Sequence, residues 1–209
     1  DLTHELKTPM TAISGYAQTL LSARISDEDR EEALTYIIEQ CRRLERLSRK
    51  MTNLLELGQN AELELEEVAI KKLFSSAAMS CEMILKNKKI ALQIVEQGEY
   101  FIVDFDLMTD VLINLLDNAV KASEEGAKIV LRATDRCIEV QDFGRGIPKD
   151  EQNKILEPFY MVDKSRSRKN GGAGLGLALV SLILEKHNIK MSIVSELGEG
   201  SRFILKFPE

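Results

Sequence analysis

A narrow seam of mostly apolar residues limits how the N-terminal part of this chain can fold. In the second of two helical segments the side chains recur at alternating steps of four and three residues: Ile37, Cys41, Leu44, Ser48, Met51 and Leu55. This spacing is typical of a coiled coil or helical bundle. The neighbouring Ile38, Leu47 and Leu54 widen the apolar face beyond what one partner helix can cover. The segment therefore predicts a bundle of more than two helices.

The preceding segment predicts a second amphipathic helix. Its apolar face is formed by residues at helical spacing: Leu2, Leu6, Pro9, Ile13, Tyr16, Ala17 and Leu20. Ser26, followed by three acidic residues, predicts the N-cap of the next helix, and Gly58 predicts its end. Because a hairpin of two such helices leaves apolar surface uncovered, we expect a homodimeric four-helix bundle. A hairpin packed on the rest of its own chain is the alternative.

After about residue 63 the pattern changes to short β-type runs mixed with helices. We predict strands over residues 64–68, 90–95, 100–103, 128–133, 137–141, 191–195 and 202–207. We predict helices over residues 70–86, 107–123 and 175–187. The overall class is α+β: an N-terminal helical hairpin in residues 1–60, then an α/β sandwich with one mixed sheet under a helical layer in residues 61–209.

Charge and composition exclude several classes of function. The 28 Lys and Arg residues against 34 Asp and Glu give a formal net charge of −6, so the chain has no global attraction for nucleic acid or an anionic membrane. No apolar run reaches the roughly 18–20 residues of a membrane span. Cys41, Cys81 and Cys137 are widely separated and fit no metal-ligand spacing, which is typical of a reduced cytosolic protein. Since the chain begins with Asp1, we expect it to be a piece of a longer protein.

His4 is the first candidate for chemistry. A rotation of about 100° per residue places it nearly opposite the apolar face of the first helix, so we expect an exposed imidazole. Thr8 lies one turn on along the same face, Glu5 is adjacent in sequence, and Pro9 should kink the helix. An imidazole can act as a base, a ligand or a nucleophile, although an inert surface histidine is the alternative.

A polar helix face is the second candidate. Within the predicted helix 107–123, Asn114, Asn118 and Lys121 share one face. Amide oxygens beside a lysine suit a Mg²⁺ ion that already carries phosphate oxygens, because Mg²⁺ takes few protein ligands. An ordinary solvated helix face is the alternative.

Two glycine-containing turns complete the candidates. Asp142–Gly146 directly follows a strand, where glycines allow close approach of a ligand and Asp142 can accept a hydrogen bond from an amino group. Gly171–Leu177 leads into a helix whose backbone amides can bind phosphate, but it matches neither a P-loop nor a dinucleotide fingerprint. A basic run before it is either a charged surface or a lid over a nucleotide: Lys164, Arg166, Arg168 and Lys169.

Taken in order, six motifs resemble those of the sensor histidine kinases of two-component systems. They are the H box at Asp1–Met10, the N box at Asn114–Lys121, the G1 box at Asp142–Gly146, the F box at Glu157–Tyr160, the G2 box at Gly172–Leu177 and the terminal glycine motif at Gly198–Phe203. The resemblance spans essentially the whole chain. It implies a dimerisation and phosphotransfer hairpin followed by an ATP-binding domain of the gyrase/histidine-kinase type.

The resemblance also implies roles for single residues. His4 would attack the γ-phosphate of ATP, Glu5 would take the ring proton, and Thr8 would position water for dephosphorylation of a partner. Asn118 would hold Mg²⁺, Lys121 would meet the phosphates, and Asp142 would bind the adenine amino group. The whole implied nucleotide site is Asn114, Asn118, Lys121, Asp142, Gly144, Gly146, Phe159, Tyr160, Lys164, Arg166, Gly172, Gly174, Leu175 and Gly176.

Cofactors and partners follow from the same resemblance. It implies ATP and Mg²⁺, a homodimer and a response-regulator receiver domain, with no nucleic acid. We expect a cytoplasmic core, attached to a membrane only through N-terminal segments outside this chain. Met161 stands where many relatives carry Arg or Lys, so Lys164 or Arg166 would supply that phosphate contact, and Ala173 replaces a common hydroxyl residue. A nucleotide-binding dimeric scaffold without kinase activity is the alternative, as is a core that acts mainly as a phosphatase.

Overall fold

Two antiparallel helices form the N-terminal part of the molecule. The computed structural model describes residues 2–22, 25–58, 62–162 and 174–208, and for Leu2 and His4 the backbone alone. Helix α1 spans Leu2–Ser22 and continues across Pro9, and helix α2 spans Asp27–Gly58. The predicted cap of α2 is confirmed, because the Ser26 hydroxyl accepts a hydrogen bond from the Asp29 N–H at 3.1 Å and donates to its carboxylate at 2.6 Å.

The hairpin contact covers only part of the predicted apolar stripe. The two helices meet through the Tyr16 and Tyr36 rings, whose centroids are 4.6 Å apart. Leu47, predicted beside the seam, is buried, whereas the predicted seam residues Cys41 and Leu55 are exposed. The seam is therefore not the line of contact within one chain. A single partner helix covers one edge of the stripe and leaves the rest outside.

In the described residues 62–162 and 174–208, the chain forms seven strands and three helices. In order they are β1 (Glu66–Ala69), α3 (Ile70–Asn87), β2 (Ala91–Glu96), β3 (Tyr100–Val103), α4 (Phe105–Ala122), β4 (Lys128–Ala133), β5 (Cys137–Asp142), a 3₁₀ turn (Lys154–Leu156), α5 (Gly176–Lys186), β6 (Lys190–Glu196) and β7 (Gly200–Lys206). All of these strands and helices are confirmed within two residues at each end.

The strands form two sheets. Five strands pair in the order β2-β4-β5-β7-β6, and only β2 and β4 run parallel, so the predicted mixed sheet is confirmed. The expectation of one sheet is wrong, because β1 and β3 pair with each other in a separate antiparallel ribbon. These two strands are four residues long and lead into α3 and α4, whose side-by-side packing brings the strands together.

The helices α3, α4 and α5 pack with the larger sheet around one apolar core. Its fully buried side chains include Phe74, Leu112, Leu115, Ile129, Leu131 and Ile138. Burying each of them contributes roughly 1.5–3 kcal/mol of hydrophobic stabilisation. Leu57 at the end of α2 belongs to the same core, and Leu54 packs against it. The hairpin is therefore joined to the α/β part by apolar packing as well as by the chain.

His187 ties the end of α5 to the start of α4. Its Nε2 accepts a hydrogen bond from the Asp104 N–H at 3.1 Å, and its Nδ1 lies 2.8 Å from the Ile183 carbonyl oxygen. Because Nε2 accepts, Nδ1 carries the proton that bonds Ile183. Asp104 in turn caps α4 by accepting from the Leu107 N–H. This cap fixes where α4 begins.

Candidate active site

The polar face of α4 is buried and partly engaged within the protein. Asn114 is 7% exposed, and its amide nitrogen donates to the Asp110 carbonyl oxygen at 2.8 Å. Its Oδ1 accepts a hydrogen bond of 2.7 Å from Lys50 Nζ on α2. One turn further on, Lys121 Nζ pairs with an oxygen of Asp117 at 2.6 Å. Two of the predicted nucleotide ligands therefore have partners inside the molecule.

Asn118 differs from its neighbours on this face. Its Nδ2 is buried without a hydrogen-bond partner, which costs about 1–3 kcal/mol if it stays unmet. The amide could turn its oxygen or its nitrogen toward a bound molecule, and an amide oxygen can coordinate Mg²⁺. Among residues 2–22, 25–58, 62–162 and 174–208, no three His, Cys, Asp or Glu side chains form a group that could hold a metal ion. A Mg²⁺ ion here would therefore take most of its ligands from phosphate and water.

Asp142 lies at the end of β5 and is 3% exposed. Burial raises the pKa of this carboxyl group, although hydrogen bonds from the backbone N–H groups of Gly144 (2.9 Å) and Ser201 act against that rise. A Cβ at Gly144 would collide with the Ala122 carbonyl oxygen at the end of α4. The loop after β5 is thus pressed against α4, with a buried acceptor at its base. Such an acceptor suits an amino group of a ligand.

Two further residues belong to this region, Gly200 and Ser195. Gly200 has φ +90°, and a Cβ there would overlap the Asp142 carbonyl oxygen. The Ser195 hydroxyl accepts from the Ile147 N–H at 2.8 Å, donates to the Gly200 carbonyl oxygen at 2.8 Å and lies 3.0 Å from the Ser201 hydroxyl. The Gly198–Phe203 motif pointed to Gly200, whereas nothing in the sequence around Ser195 did.

The F-box residues and the end of the G2 box lie against each other. The Phe159 N–H donates to the Gly174 carbonyl oxygen at 2.9 Å, and both residues have φ +67°. The Tyr160 hydroxyl donates to the Glu151 carboxylate, which raises the pKa of the tyrosine. Leu175 is 1% exposed, so any nucleotide contact there would come from its backbone.

The start of α5 brings the G2 box to the polar face of α4. A Cβ at Gly176 would lie 2.9 Å from Asn114 Oδ1 and 3.5 Å from Lys50 Nζ. A side chain at position 176 would therefore push the Asn114 amide aside, whereas the distance to Lys50 is an ordinary contact. The predicted Lys164, Arg166 and Gly172 lie outside the described residues.

The H box has an inward-facing acid. Glu5 is 8% exposed and pairs with Arg43 of α2, with 3.4 Å between Glu5 Oε2 and Arg43 Nη2. Thr8 is exposed on α1. The side chain of His4 lies outside the described residues, so its predicted exposure stays a prediction.

Comparison with known families defines the class of this molecule. Residues 1–60 match the His Kinase A (phospho-acceptor) domain, and residues 103–209 match the Histidine kinase-, DNA gyrase B-, and HSP90-like ATPase family. The chain belongs to this ATPase family and, with the phospho-acceptor hairpin before the ATPase domain, is the catalytic core of a sensor histidine kinase.

Particular relatives agree with this class. Sensor protein SrrB of Staphylococcus aureus strain MRSA252 is 29% identical across this whole chain, which spans 37% of that protein's length. The histidine kinase ShkA in complex with AMPPNP is 27% identical with a TM-score of 0.74, covering 99% of this chain and 44% of its own. ThkA, solved in complex with the response regulator TrrA, has a TM-score of 0.79 at 24% identity over 99% of this chain and 59% of its own, which shows the fold.

Within the described part of the chain, no helix is both long and apolar enough to span a bilayer.

Proposed function

We propose that this chain transfers the γ-phosphate of ATP to His4 and then to an aspartate on the receiver domain of a response regulator. One arrangement carries the proposal: α4 meets the Asp142 loop at Ala122 and meets the start of α5 at Asn114. Eight residues of helix separate these two contacts, or about 12 Å. The buried acceptor that we assign to adenine and the polar face that we assign to the phosphates thus lie along one helix.

The chemistry needs few groups from the protein. A ring nitrogen of His4 forms a bond to the γ-phosphorus as the bond from that phosphorus to the bridging oxygen of ADP breaks. The proton leaving the ring passes to Glu5, whose carboxylate Arg43 holds on the α2 side of α1. In the second step a receiver aspartate oxygen displaces the histidine nitrogen from phosphorus.

Positioning and charge neutralisation supply most of the rate in such transfers. Asn118, with Asn114 beside it, would hold Mg²⁺, which supplies charge neutralisation at the phosphate oxygens when bound. The chain itself would hold the adenine ring at Asp142 and keep the polar face of α4 against the start of α5. In the opposite reaction, dephosphorylation of the response regulator, Thr8 would orient the water that hydrolyses the phosphoaspartate.

A homodimer is part of the proposal. The hairpin leaves large apolar side chains 40–88% exposed: Met10, Tyr16, Leu21, Leu34, Ile38 and Leu55. A second hairpin would cover them in a four-helix bundle. The receiver domain is the proposed second partner, as in the complex of ThkA with TrrA. Because ATP and receiver domains meet in the cytoplasm, we place the core there.

Labelling with ATP tests the reaction. The chain is incubated with Mg²⁺ and ATP labelled at either the γ- or the α-phosphate, beside a His4→Gln variant. We expect covalent label from γ-labelled ATP only, and none in the variant. A chain that binds ATP but takes no label would be a nucleotide-binding scaffold, and the kinase proposal would be wrong.

A further inference from the structure

Lys50 connects the hairpin to the nucleotide site. It lies on α2, yet its Nζ donates a 2.7 Å hydrogen bond to Oδ1 of Asn114 on α4, 64 residues away in sequence. One and two turns further along α2, Leu54 and Leu57 pack into the core of the α/β part. The polar contact and the apolar contact therefore lie on one continuous edge of α2.

Three elements surround the Lys50 ammonium group. Asp110 and Asp117 of α4 attract it, while Lys121 and Arg46 repel it, and burial lowers the pKa of its ammonium group. On the third side lies Gly176 at the start of α5, where a Cβ would stand at a contact distance of 3.5 Å from Nζ. Residues of α2, α4 and α5 therefore enclose the ammonium group.

The contact lies at a defined level of the hairpin. The pairing of Glu5 with Arg43 marks the level of the H box on α2. Lys50 is seven residues further along α2, which is about two turns or 10 Å along the helix axis. The α/β part is thus docked below the level at which His4 leaves α1.

In this docked position, two side chains on the polar face of α4 are bound to other residues of the protein. Asn114 Oδ1 is taken by Lys50, and Lys121 is taken by Asp117. The amide nitrogen of Asn118 is buried without a partner. A ligand that needs these three side chains would have to replace both internal contacts.

We propose that Lys50 is a latch between the hairpin and the ATP-binding part, which holds the nucleotide site about two helical turns from the level of His4 through its hydrogen bond to Asn114. Mg-nucleotide and Lys50 compete for the same amide, so nucleotide binding favours release of the latch. This inference rests on the proposed function only where it concerns His4; the docking itself is independent of it.

A pair of neighbouring substitutions tests the latch. Lys50→Met removes the ammonium group and keeps an apolar stem. Arg49→Met removes a cation from the next position, where the side chain is 78% exposed and pairs with Glu45 on the same helix. Both variants lose one positive charge from α2, so a difference between them reports the contact with Asn114 rather than net charge.

The first measurement is the distance between two spin labels. They are attached to cysteines introduced at the exposed positions Arg42 and Met79, in a chain whose Cys41 and Cys137 are replaced by Ser. Labelled chains are diluted with unlabelled ones, so that each dimer carries one labelled chain. We expect a single narrow distance distribution for the native residue and for Arg49→Met, and a broad or shifted one for Lys50→Met. The same distribution in all three chains would overturn the latch.

The second measurement is the affinity for Mg-ADP. Removal of a competing charged hydrogen bond should tighten binding about tenfold in Lys50→Met and leave Arg49→Met unchanged. Weaker binding in Lys50→Met would make Lys50 a phosphate-binding group and would also overturn the latch. Lys50→Gln provides a second variant if Lys50→Met unfolds, with the same directions expected.

Phosphorylation of His4 separates the two proposals. We expect faster labelling of the Lys50→Met chain from γ-labelled ATP. If no variant takes label while the distance and affinity results hold, the proposed kinase reaction fails and the latch stands.

Discussion

Gly200 lies so close to Asp142 that no side chain fits between them. The two residues belong to neighbouring strands, and a Cβ on Gly200 would overlap the carbonyl oxygen of Asp142. The terminal glycine motif therefore acts on the end of the site where we propose that adenine binds: it allows β7 to close against the start of the Asp142 loop.

Gly200→Ala should destabilise the fold and weaken ADP binding together. Gly198 provides the matched control, because its φ of +87° is similar and nothing lies within 4 Å of a Cβ there. Backbone strain alone predicts a loss of about 1 kcal/mol in Gly198→Ala. We expect at least about 2 kcal/mol more in Gly200→Ala, measured by urea unfolding. Equal losses in both variants would contradict the close approach to Asp142.

Ser195→Ala should loosen the same end of the site. The hydroxyl satisfies the Ile147 N–H and the Gly200 carbonyl oxygen, so its removal leaves two polar groups unmet and costs about 1–3 kcal/mol of unfolding free energy. Ser192→Ala, at an exposed position of the same strand, is the control and should cost less than about 0.5 kcal/mol. We expect ADP affinity to fall in Ser195→Ala alone, as calorimetry would show. Unchanged affinity would restrict Ser195 to a role in stability.

ADP affinity should fall on acidification because of Asp142. Burial raises the pKa of this carboxyl group above its ordinary value, so it takes up a proton at a higher pH than an exposed aspartate does. The protonated form is a poorer acceptor for the adenine amino group. We expect the affinity to be constant near neutral pH and to fall as pH drops toward the raised pKa. In Asp142→Asn affinity should be weak throughout and this pH dependence should be absent; a retained dependence would assign it to another group.

The same raised pKa makes the ligand-free protein less stable as pH rises. As pH rises, the carboxyl group ionises first in the unfolded chain, whose pKa is the ordinary one. Asp142 therefore lowers the unfolding free energy between the ordinary pKa and the raised one, and the penalty is complete above the raised pKa.

The three cysteines should differ in their reaction with iodoacetamide at pH 8. Cys41 is exposed, Cys137 is half-buried, and burial raises the pKa of Cys81 to about 11. Since the thiolate is the reactive form, Cys81 should stay unmodified in the folded chain while Cys41 reacts first. Mass spectrometry of the digested protein gives the order. Early modification of Cys81 would mean that α3 is less well packed than described.

Local patterns predicted most of the fold because the physics behind them is local. The spacing of apolar residues sets strand and helix positions, and Ser26 caps α2 through an atom three residues away. What could not be predicted depends on residues distant in sequence. The inward direction of Glu5 depends on Arg43, and the engagement of Asn114 depends on Lys50. The position of β1 beside β3 depends on how two helices pack.

The candidate site follows the same division. Gly144 and Gly176 stand out in the sequence because each belongs to a glycine-containing motif; a Cβ would meet the Ala122 backbone at the first position and the Asn114 side chain at the second. Ser195 carries no such sign, since a serine in a half-exposed strand is ordinary until its partners are known.

Locating the phosphoryl group tests the central claim most directly. The chain is incubated with Mg²⁺ and ATP and freed of nucleotide, and its phosphorus spectrum is recorded in solution beside that of the His4→Gln variant. The account predicts one phosphoramidate signal that is lost in acid, survives in base and is absent from the variant. A phosphoester signal, or a phosphoramidate that persists in His4→Gln, would contradict the assignment of His4 as the phosphoacceptor.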